Sequence, residues 1–105
     1  MSTLSVVAPA LRFGGGEVLA FVGEDGAASV VRHYLLVHAA LDAKLPSGEP
    51  LYEVESGFSQ GFLLSDGTFA ARQRAAVVAR EAGQANVWRL TSEDLWDDDG
   101  RPLWT

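Results

Sequence analysis

The residues with the clearest capacity for chemistry are two arginines, Arg72 and Arg74, in the first turn of a helix predicted to begin near residue 70. The first turn of a helix has free backbone N–H groups and the positive end of the helix dipole, so it favours acidic side chains. Cations at that position indicate either a bound anion or an acid that approaches from elsewhere. Two alternatives are open: a phosphate site built on Arg72, and a salt bridge from Arg72 to Glu53 or Glu55.

Other kinds of site lack the residues that they need. The sequence contains no Cys and no G-x-S-x-G nucleophile elbow, which excludes thiolate catalysis and disfavours a serine nucleophile. His33 and His38 are five residues apart, whereas a two-histidine metal site on one helix needs a spacing of four. We expect His38 in the core, because it falls on the apolar side of its helix, and His33 on the flank beside Arg32. We therefore predict no enzyme, no metal and no cofactor.

Composition and charge restrict the class of partner. The chain has 105 residues, 48% of them hydrophobic and 21% charged, which is typical of one folded domain. The net charge is −6, and five acidic residues lie within residues 91–105. This balance disfavours binding of duplex nucleic acid, which needs a basic face, but it permits a small anionic ligand held by a few arginines. We predict a domain over residues 1–96 and an acidic tail over 97–105. No apolar run is long enough for a membrane span, so no membrane partner is expected.

The hydrophobic pattern predicts an α+β fold. It consists of a small antiparallel sheet with an N-terminal hairpin, two main helices packed on the sheet and a short C-terminal helical turn. The hairpin comprises strands over 5–13 and 17–22, and the second strand is apolar on both faces, so we expect it to be covered on both sides. Helices are predicted over 28–42 and 70–82, with one or two strands within 50–64.

Individual residues mark the limits of these elements. Pro9 cannot donate a ladder hydrogen bond, so its strand is expected at a sheet edge or with a bulge. Ser29 is predicted to cap the first helix, and Gly83 is predicted to end the second. Residues 87–90 are predicted to form a short last strand.

Three short motifs in the second half of the chain resemble those of a family of small phage and prophage proteins. The pattern of that family is Q-G-F-x-x-S-x-G-x-F-x-x-R, then a helix that ends in A-G-Q, and a closing S-E-D-L-W. The corresponding residues here are Gln60–Phe69 with Arg72, then Ala82–Gln84, and Ser92–Trp96. We expect Ser92 to cap the closing turn and Trp96 to anchor the tail against the body or a neighbouring subunit.

The first half of the chain also fits that family. An Arg-His pair opens the first helix of the family, as Arg32 and His33 do here, and the N-terminal hairpin corresponds to residues 5–22. The resemblance therefore covers nearly the whole chain. Two residues depart from the pattern, because Thr68 stands where the family often has Arg and Arg74 stands where it often has an acid. Both changes alter the charge around a phosphate site.

This family resembles the phage anti-Thoeris sponge proteins of the first type. Those proteins are α+β oligomers that trap cyclic ADP-ribose signals made by bacterial TIR-domain enzymes and hold them without catalysis. The resemblance implies a homo-oligomer in the host cytoplasm that sequesters a small cyclic nucleotide at a subunit interface. Two other functions stay open: a protein-binding inhibitor of a host defence complex that uses its acidic surface, and a small cyclic-nucleotide hydrolase.

A cyclic ADP-ribose molecule offers a purine face and a pyrophosphate, and the chain has residues for both. Phe69 or Phe62 can stack on the purine, although Phe62 is expected in the core because two leucines follow it. Arg72 and Arg32 can hold phosphate through their guanidinium forks, and Gln84 can pair with an adenine edge. The predicted ligand site comprises Arg32, His33, Phe69, Arg72, Arg74 and Gln84.

Overall fold

The computed structural model describes residues 4–14, 16–26, 28–42, 48 and 58–104. Along these residues, two strands followed by a helix occur twice. The elements are β1 (Val6–Phe13), β2 (Val18–Leu19), α1 (His33–Asp42), β3 (Phe58–Leu64), β4 (Phe69–Ala71), α2 (Arg72–Glu81) and a 3₁₀ turn (Ser92–Asp94). This arrangement confirms the predicted α+β fold. The part of the predicted 50–64 strand region before residue 58 lies outside the described residues.

The four strands form one antiparallel sheet in the order β2-β1-β3-β4. The centre of the sheet is the long β1–β3 pair, in which the register shifts between Val6 and Ala8. Pro9 follows this irregularity and lies in an internal strand. Of the two predictions for Pro9, the edge strand is therefore wrong, and the irregular register is confirmed.

The helix α2 approaches the sheet closely because its buried face consists of small side chains. Those side chains are Ala75, Ala76, Val78 and Ala79. They pack in the main core with Phe62, which is fully buried as predicted. The helix starts two residues later than predicted, because Phe69–Ala71 pair with β3 as β4. Gly83 follows the end of the helix with a φ of +74°, which confirms its predicted role.

The helix α1 begins at His33 rather than near residue 28. The residues before it are used in a loop closure instead: Ala28 bridges Val22, and the Ser29 N–H donates to Phe21 O at 2.9 Å. The prediction of Ser29 as the N-cap is therefore wrong. The prediction of His38 in the core is also wrong, because its side chain is exposed. The buried side chains of α1 among those described are His33, Leu36 and Ala40.

Two strand predictions are corrected by the structure. Within the predicted strand over 17–22 only Val18–Leu19 forms a strand, and Val18 is 41% exposed, so the sheet is not covered on both sides there. Residues 87–90 form no strand, because this segment packs along α2 and the Leu90 N–H donates to Arg72 O.

The C-terminal residues fold back onto the body. Thr91, rather than the predicted Ser92, caps the 3₁₀ turn in a reciprocal capping box with Asp94. Trp96 is buried and stacks on Phe62, so its predicted anchoring of the tail to the body is confirmed. No helix in the described ranges is long and apolar enough to cross a membrane.

Candidate functional site

A cleft of about 550 Å³ lies where α2 begins, and we call it the arginine cleft. Three segments surround it: the first residues of β3, the junction of β4 with α2, and the segment that runs back along α2. The lining residues are Phe58, Ser59, Gln60, Ala71, Arg72, Gln73 and Arg89. Its polar groups therefore converge from parts of the chain that are distant in sequence, as in ligand-binding clefts generally.

The Arg72 guanidinium is fixed in this cleft by uncharged partners. It donates to Leu90 O at 2.9 Å, to Gln60 Oε1 at 2.6 Å and to His33 Nδ1 at 3.4 Å. No carboxylate lies within 4 Å of Arg72 among the residues that the structure describes. The predicted alternative partners Glu53 and Glu55 lie outside those residues. The described network therefore orients the positive charge of Arg72 without neutralising it.

Burial and a second cation act together on Arg72. Burial lowers the pKa of its guanidinium, and the nearby charge of Arg89 lowers that pKa further. Glu93 and Asp94 oppose this shift through electrostatic attraction. Because an opposite charge favours the charged form, an anion between Arg72 and Arg89 would oppose both effects through electrostatic attraction.

His33 helps to fix the Arg72 guanidinium through a hydrogen bond to its Nδ1 atom. Its Nε2 lies 2.8 Å from Gly61 O, and its ring meets Phe62 edge-on with centroids 5.1 Å apart. Since a guanidinium only donates, Nδ1 accepts from Arg72, and we infer that Nε2 carries the proton and donates to Gly61 O. Burial lowers the pKa of His33, which agrees with a neutral ring. His33 thus positions Arg72 and has both ring nitrogens hydrogen-bonded.

The start of α2 adds backbone donors to the cleft. The N-cap residue Ala71 provides no side-chain hydrogen bond, and the first turn contains no acidic residue. Helix starts of this kind leave N–H groups free and place the positive end of the dipole there. Arg72 and Gln73 of this turn line the cleft, so its chemistry suits an anion.

Arg32 lies apart from the arginine cleft. It is only 7% exposed, and its donors bind the backbone of the C-terminal turn, at Ser92 O (3.3 Å) and Trp96 O (2.9 Å). It also pairs with Asp98 at 3.2 Å. In the structure Arg32 holds the C-terminal turn, and its predicted contact with phosphate stays a prediction.

The amide oxygen and nitrogen of Gln84 are each hydrogen-bonded to the backbone of β1. Its Oε1 accepts from the Val6 N–H at 2.8 Å, and its Nε2 donates to Val6 O at 2.9 Å. The Gln84 side chain thus pairs with the N–H and C=O of Val6, as the backbone of a neighbouring strand would. Gln84 lines a different, mainly apolar cleft of about 360 Å³. One amide N–H and one oxygen lone pair remain, so the predicted contact with an adenine edge stays a prediction.

Phe69 and Arg74 also lie outside the lining of the arginine cleft. Phe69 belongs to β4, and its ring is packed over Gly61 and under the Arg12 guanidinium, 5.0 Å from the ring centroid. Arg74 is exposed, and its charge acts on Asp66, whose pKa it helps to lower after the larger effect of the Thr68 hydrogen bonds. Of the six predicted site residues, the structure brings together only His33 and Arg72.

Gln60 and Arg89 line the cleft but are absent from the site predicted from the sequence. Gln60 opens the Q-G-F motif, and the structure gives that motif a reason: Gln60 Oε1 and the Gly61 carbonyl bind Arg72 and His33 respectively. The Q-G-F motif, its final Arg and His33 of the Arg-His pair thus meet in one network. No local pattern marks Arg89, since it reaches the cleft only when its segment runs back along α2.

A comparison with known protein families shows to which family the chain belongs. The sequence model of one family, described as phage T4 y16D protein, matches residues 5–96. The chain belongs to the phage T4 y16D family. The match includes every residue that lines the arginine cleft. Neither the comparison with curated proteins nor the comparison with solved structures found a match.

Proposed function

We propose that this protein is a phage anti-defence sponge, which binds a cyclic nucleotide signal of the cyclic ADP-ribose type in the arginine cleft. The observation that carries the proposal is the Arg72 guanidinium, fixed by three uncharged acceptors in a cleft that contains a second arginine. Its three hydrogen bonds use three of five N–H groups, so donors remain for a ligand. A pyrophosphate supplies the negative charge that the described partners do not.

The size of the cleft supports a ligand of nucleotide dimensions. Sites for small molecules commonly enclose roughly 300–1,000 Å³, and the arginine cleft has about 550 Å³. Arg89 is exposed and lies at its wall, where it can close on a phosphate once one is bound. The uncapped start of α2 adds backbone N–H donors on the same side.

Holding the ligand without cleaving it is supported by the state of His33. A general base needs a nitrogen free to take a proton, and both His33 nitrogens are hydrogen-bonded to protein groups. We therefore favour sequestration of the ligand over its hydrolysis, and we propose the host cytoplasm as its location.

The sponge proposal is tested by depletion and recovery. The purified protein is incubated with isomers of cyclic ADP-ribose, the free ligand is measured by mass spectrometry, and the protein is then heat-denatured. We expect free ligand to fall in proportion to protein and to return intact after denaturation. A linearised or dephosphorylated product would instead support the hydrolase, and undiminished free ligand would contradict the sponge. Light scattering of the same sample measures whether the protein is the proposed homo-oligomer.

A second candidate, a protein-binding inhibitor, is favoured by the acidic C-terminal turn. This turn is ordered, because Trp96 bridges Pro102, yet the carboxylate of Asp98 is fully exposed. Replacement of Asp98 and Asp99 with Asn should leave nucleotide binding within about threefold, because both carboxylates are exposed to water and salt and do not line the arginine cleft. Loss of inhibition of a host defence complex, with unchanged nucleotide binding, would support this second candidate.

A further inference from the structure

The most exposed large hydrophobic side chain in the described residues is Trp88. Its side chain is 81% exposed, although tryptophan is usually highly buried in folded proteins. The Arg80 guanidinium lies over the ring at 4.1 Å from the centroid. At this distance a cation–π contact holds one face of the indole, which leaves a large aromatic surface fixed in place but open to solvent.

Trp88 lies next to the arginine cleft rather than in its lining, because it directly precedes the lining residue Arg89. The segment that carries it runs back along α2 from the end of the helix to its start, because both ends of the segment donate to the helix backbone. Those bonds are Gln84 N to Ala79 O and Leu90 N to Arg72 O. The next residue, Arg89, lines the cleft. Adjacent Cα atoms are about 3.8 Å apart, so a ligand of nucleotide size can reach both residues.

We propose that Trp88 is a base-stacking residue, so that the arginine cleft selects nucleotides over other phosphate compounds. The aromatic base lies on the open surface of the indole, and the phosphates reach Arg72 and Arg89. This inference rests on the proposed function of the cleft and adds the class of group that its ligand must carry. Stacking of a base on an aromatic side chain is tolerant of base identity, so the site distinguishes an aromatic base from its absence.

The other aromatic rings near the cleft are less available. Phe62 is fully buried in the core, and Phe69 is packed between Gly61 and the Arg12 guanidinium. Phe58 lines the cleft, but its ring packs edge-on against Phe13. Trp88 is the aromatic side chain with both exposure and a fixed orientation.

Charge favours a nucleotide over a protein segment as the occupant of this surface. Trp88 lies between Arg80, which stacks on it, and Arg89, which follows it in the chain. Glu81 lies beside Arg80 on α2 and offsets part of this charge. The whole protein has a net charge of −6, so a long polyanion is opposed while a small anion is not.

The experiment compares ligands with and without a base. Inorganic pyrophosphate and ADP are titrated calorimetrically into the wild-type protein, Trp88→Ala, Trp88→Phe and the control Tyr34→Ala. Tyr34 is an exposed aromatic residue of α1 and does not line the cleft. We expect wild type to bind ADP about tenfold or more tightly than pyrophosphate. Trp88→Ala should bind the two equally, and Trp88→Phe and Tyr34→Ala should keep the preference.

The outcomes separate this inference from the proposed function. If pyrophosphate binds but Trp88→Ala keeps the full preference for ADP, base stacking on Trp88 is wrong and the anion site stands. If neither probe binds wild type at millimolar concentration, both the anion site and the stacking site are wrong. Binding of a ten-nucleotide oligodeoxyadenylate far more tightly than ADP would overturn the small nucleotide as the ligand and indicate a single-strand surface.

Discussion

The Nη2 group of Arg72 lies 3.4 Å from the Nδ1 atom of His33, and these are the first residues of α2 and α1 respectively. The contact joins the starts of both helices to β3, because the other His33 nitrogen binds Gly61 O. It also explains how a guanidinium can be held in a partly buried place without a described carboxylate. A neutral histidine accepts one of its hydrogen bonds and adds no opposing charge.

The stability of the protein should fall as pH decreases below about 6.5, the ordinary pKa of histidine. Burial lowers the pKa of His33 in the folded state, with Arg72 acting in the same direction, while the Gly61 hydrogen bond and Glu93 oppose the shift. The unfolded chain therefore takes up the proton first, so stability is constant above the unfolded pKa and decreases until the folded pKa is reached. Melting temperature measured across this range checks the slope.

The control for this pH dependence is the second histidine. His38→Gln should keep the slope, because His38 is exposed, whereas His33→Gln should remove most of it. An unchanged slope in His33→Gln would show that another group is responsible.

Gly61→Ala should destabilise the fold strongly. A Cβ at this position would collide with the Ala70 carbonyl and the Phe69 ring, and the collision with backbone has no easy relief. We expect a loss of about 1–3 kcal/mol of unfolding free energy, as for overpacked cores, measured by urea denaturation. Gly14→Ala is the matched control, because nothing lies within 4 Å of its added Cβ. Equal stability of the two variants would contradict the packing described for Gly61.

Arg32→Ala should destabilise the C-terminal turn. It removes charged donors to Ser92 O and Trp96 O, two buried acceptors that would lose their partner. The expected loss is about 2–3 kcal/mol, in the range for hydrogen bonds to charged groups. Asp98→Asn should change stability little, because this carboxylate is fully exposed and the surrounding water already screens its ion pair. Thermal melting of both variants checks the difference, and a larger effect of Asp98→Asn would contradict it.

Elements fixed by local chemistry could be predicted from the sequence, and those fixed by distant pairing could not. Gly83 and Gly67 have positive φ, and the chain turns at both as their position predicts. Ala70 and Ala71 are predicted as helix, yet they belong to β4, because pairing with β3 outweighs their local preference. The helix α1 begins later than predicted for a similar reason, because Ala28 pairs with Val22.

The centre of the candidate site could be predicted from the sequence, but the residues at its wall could not. Arg72 was identified because a cation in the first turn of a helix breaks a local rule, and His33 because it belongs to a motif. Arg89 lines the cleft and Trp88 precedes it in the segment that returns along α2, and no local pattern predicts that path. Gln84 lies at a different cleft for the same kind of reason, since it pairs with Val6, which is 78 residues away.

Arg74→Ala distinguishes the cleft from the site predicted from sequence. Arg74 does not line the cleft and acts on Asp66, so its loss should weaken pyrophosphate binding less than the loss of Arg89 does. Calorimetric titration of each variant with pyrophosphate gives the two affinities and checks this order. The reverse order would place the anion at the outer side of α2.

The central claim is that an anion binds between Arg72 and Arg89, and the variant that tests it most directly is Arg89→Ala. Arg72→Ala would break three protein hydrogen bonds and lower stability as well as binding, whereas Arg89 is exposed and its removal should spare the fold. Arg101→Ala is the matched control, because it removes the same charge from the exposed C-terminal turn. The measurement is calorimetric titration of each variant with pyrophosphate, beside its melting temperature. We predict that Arg89→Ala weakens binding about tenfold or more at an unchanged melting temperature, the loss expected for a charged hydrogen bond, while Arg101→Ala stays within about twofold of wild type. Equal binding by Arg89→Ala and Arg101→Ala would contradict the anion site.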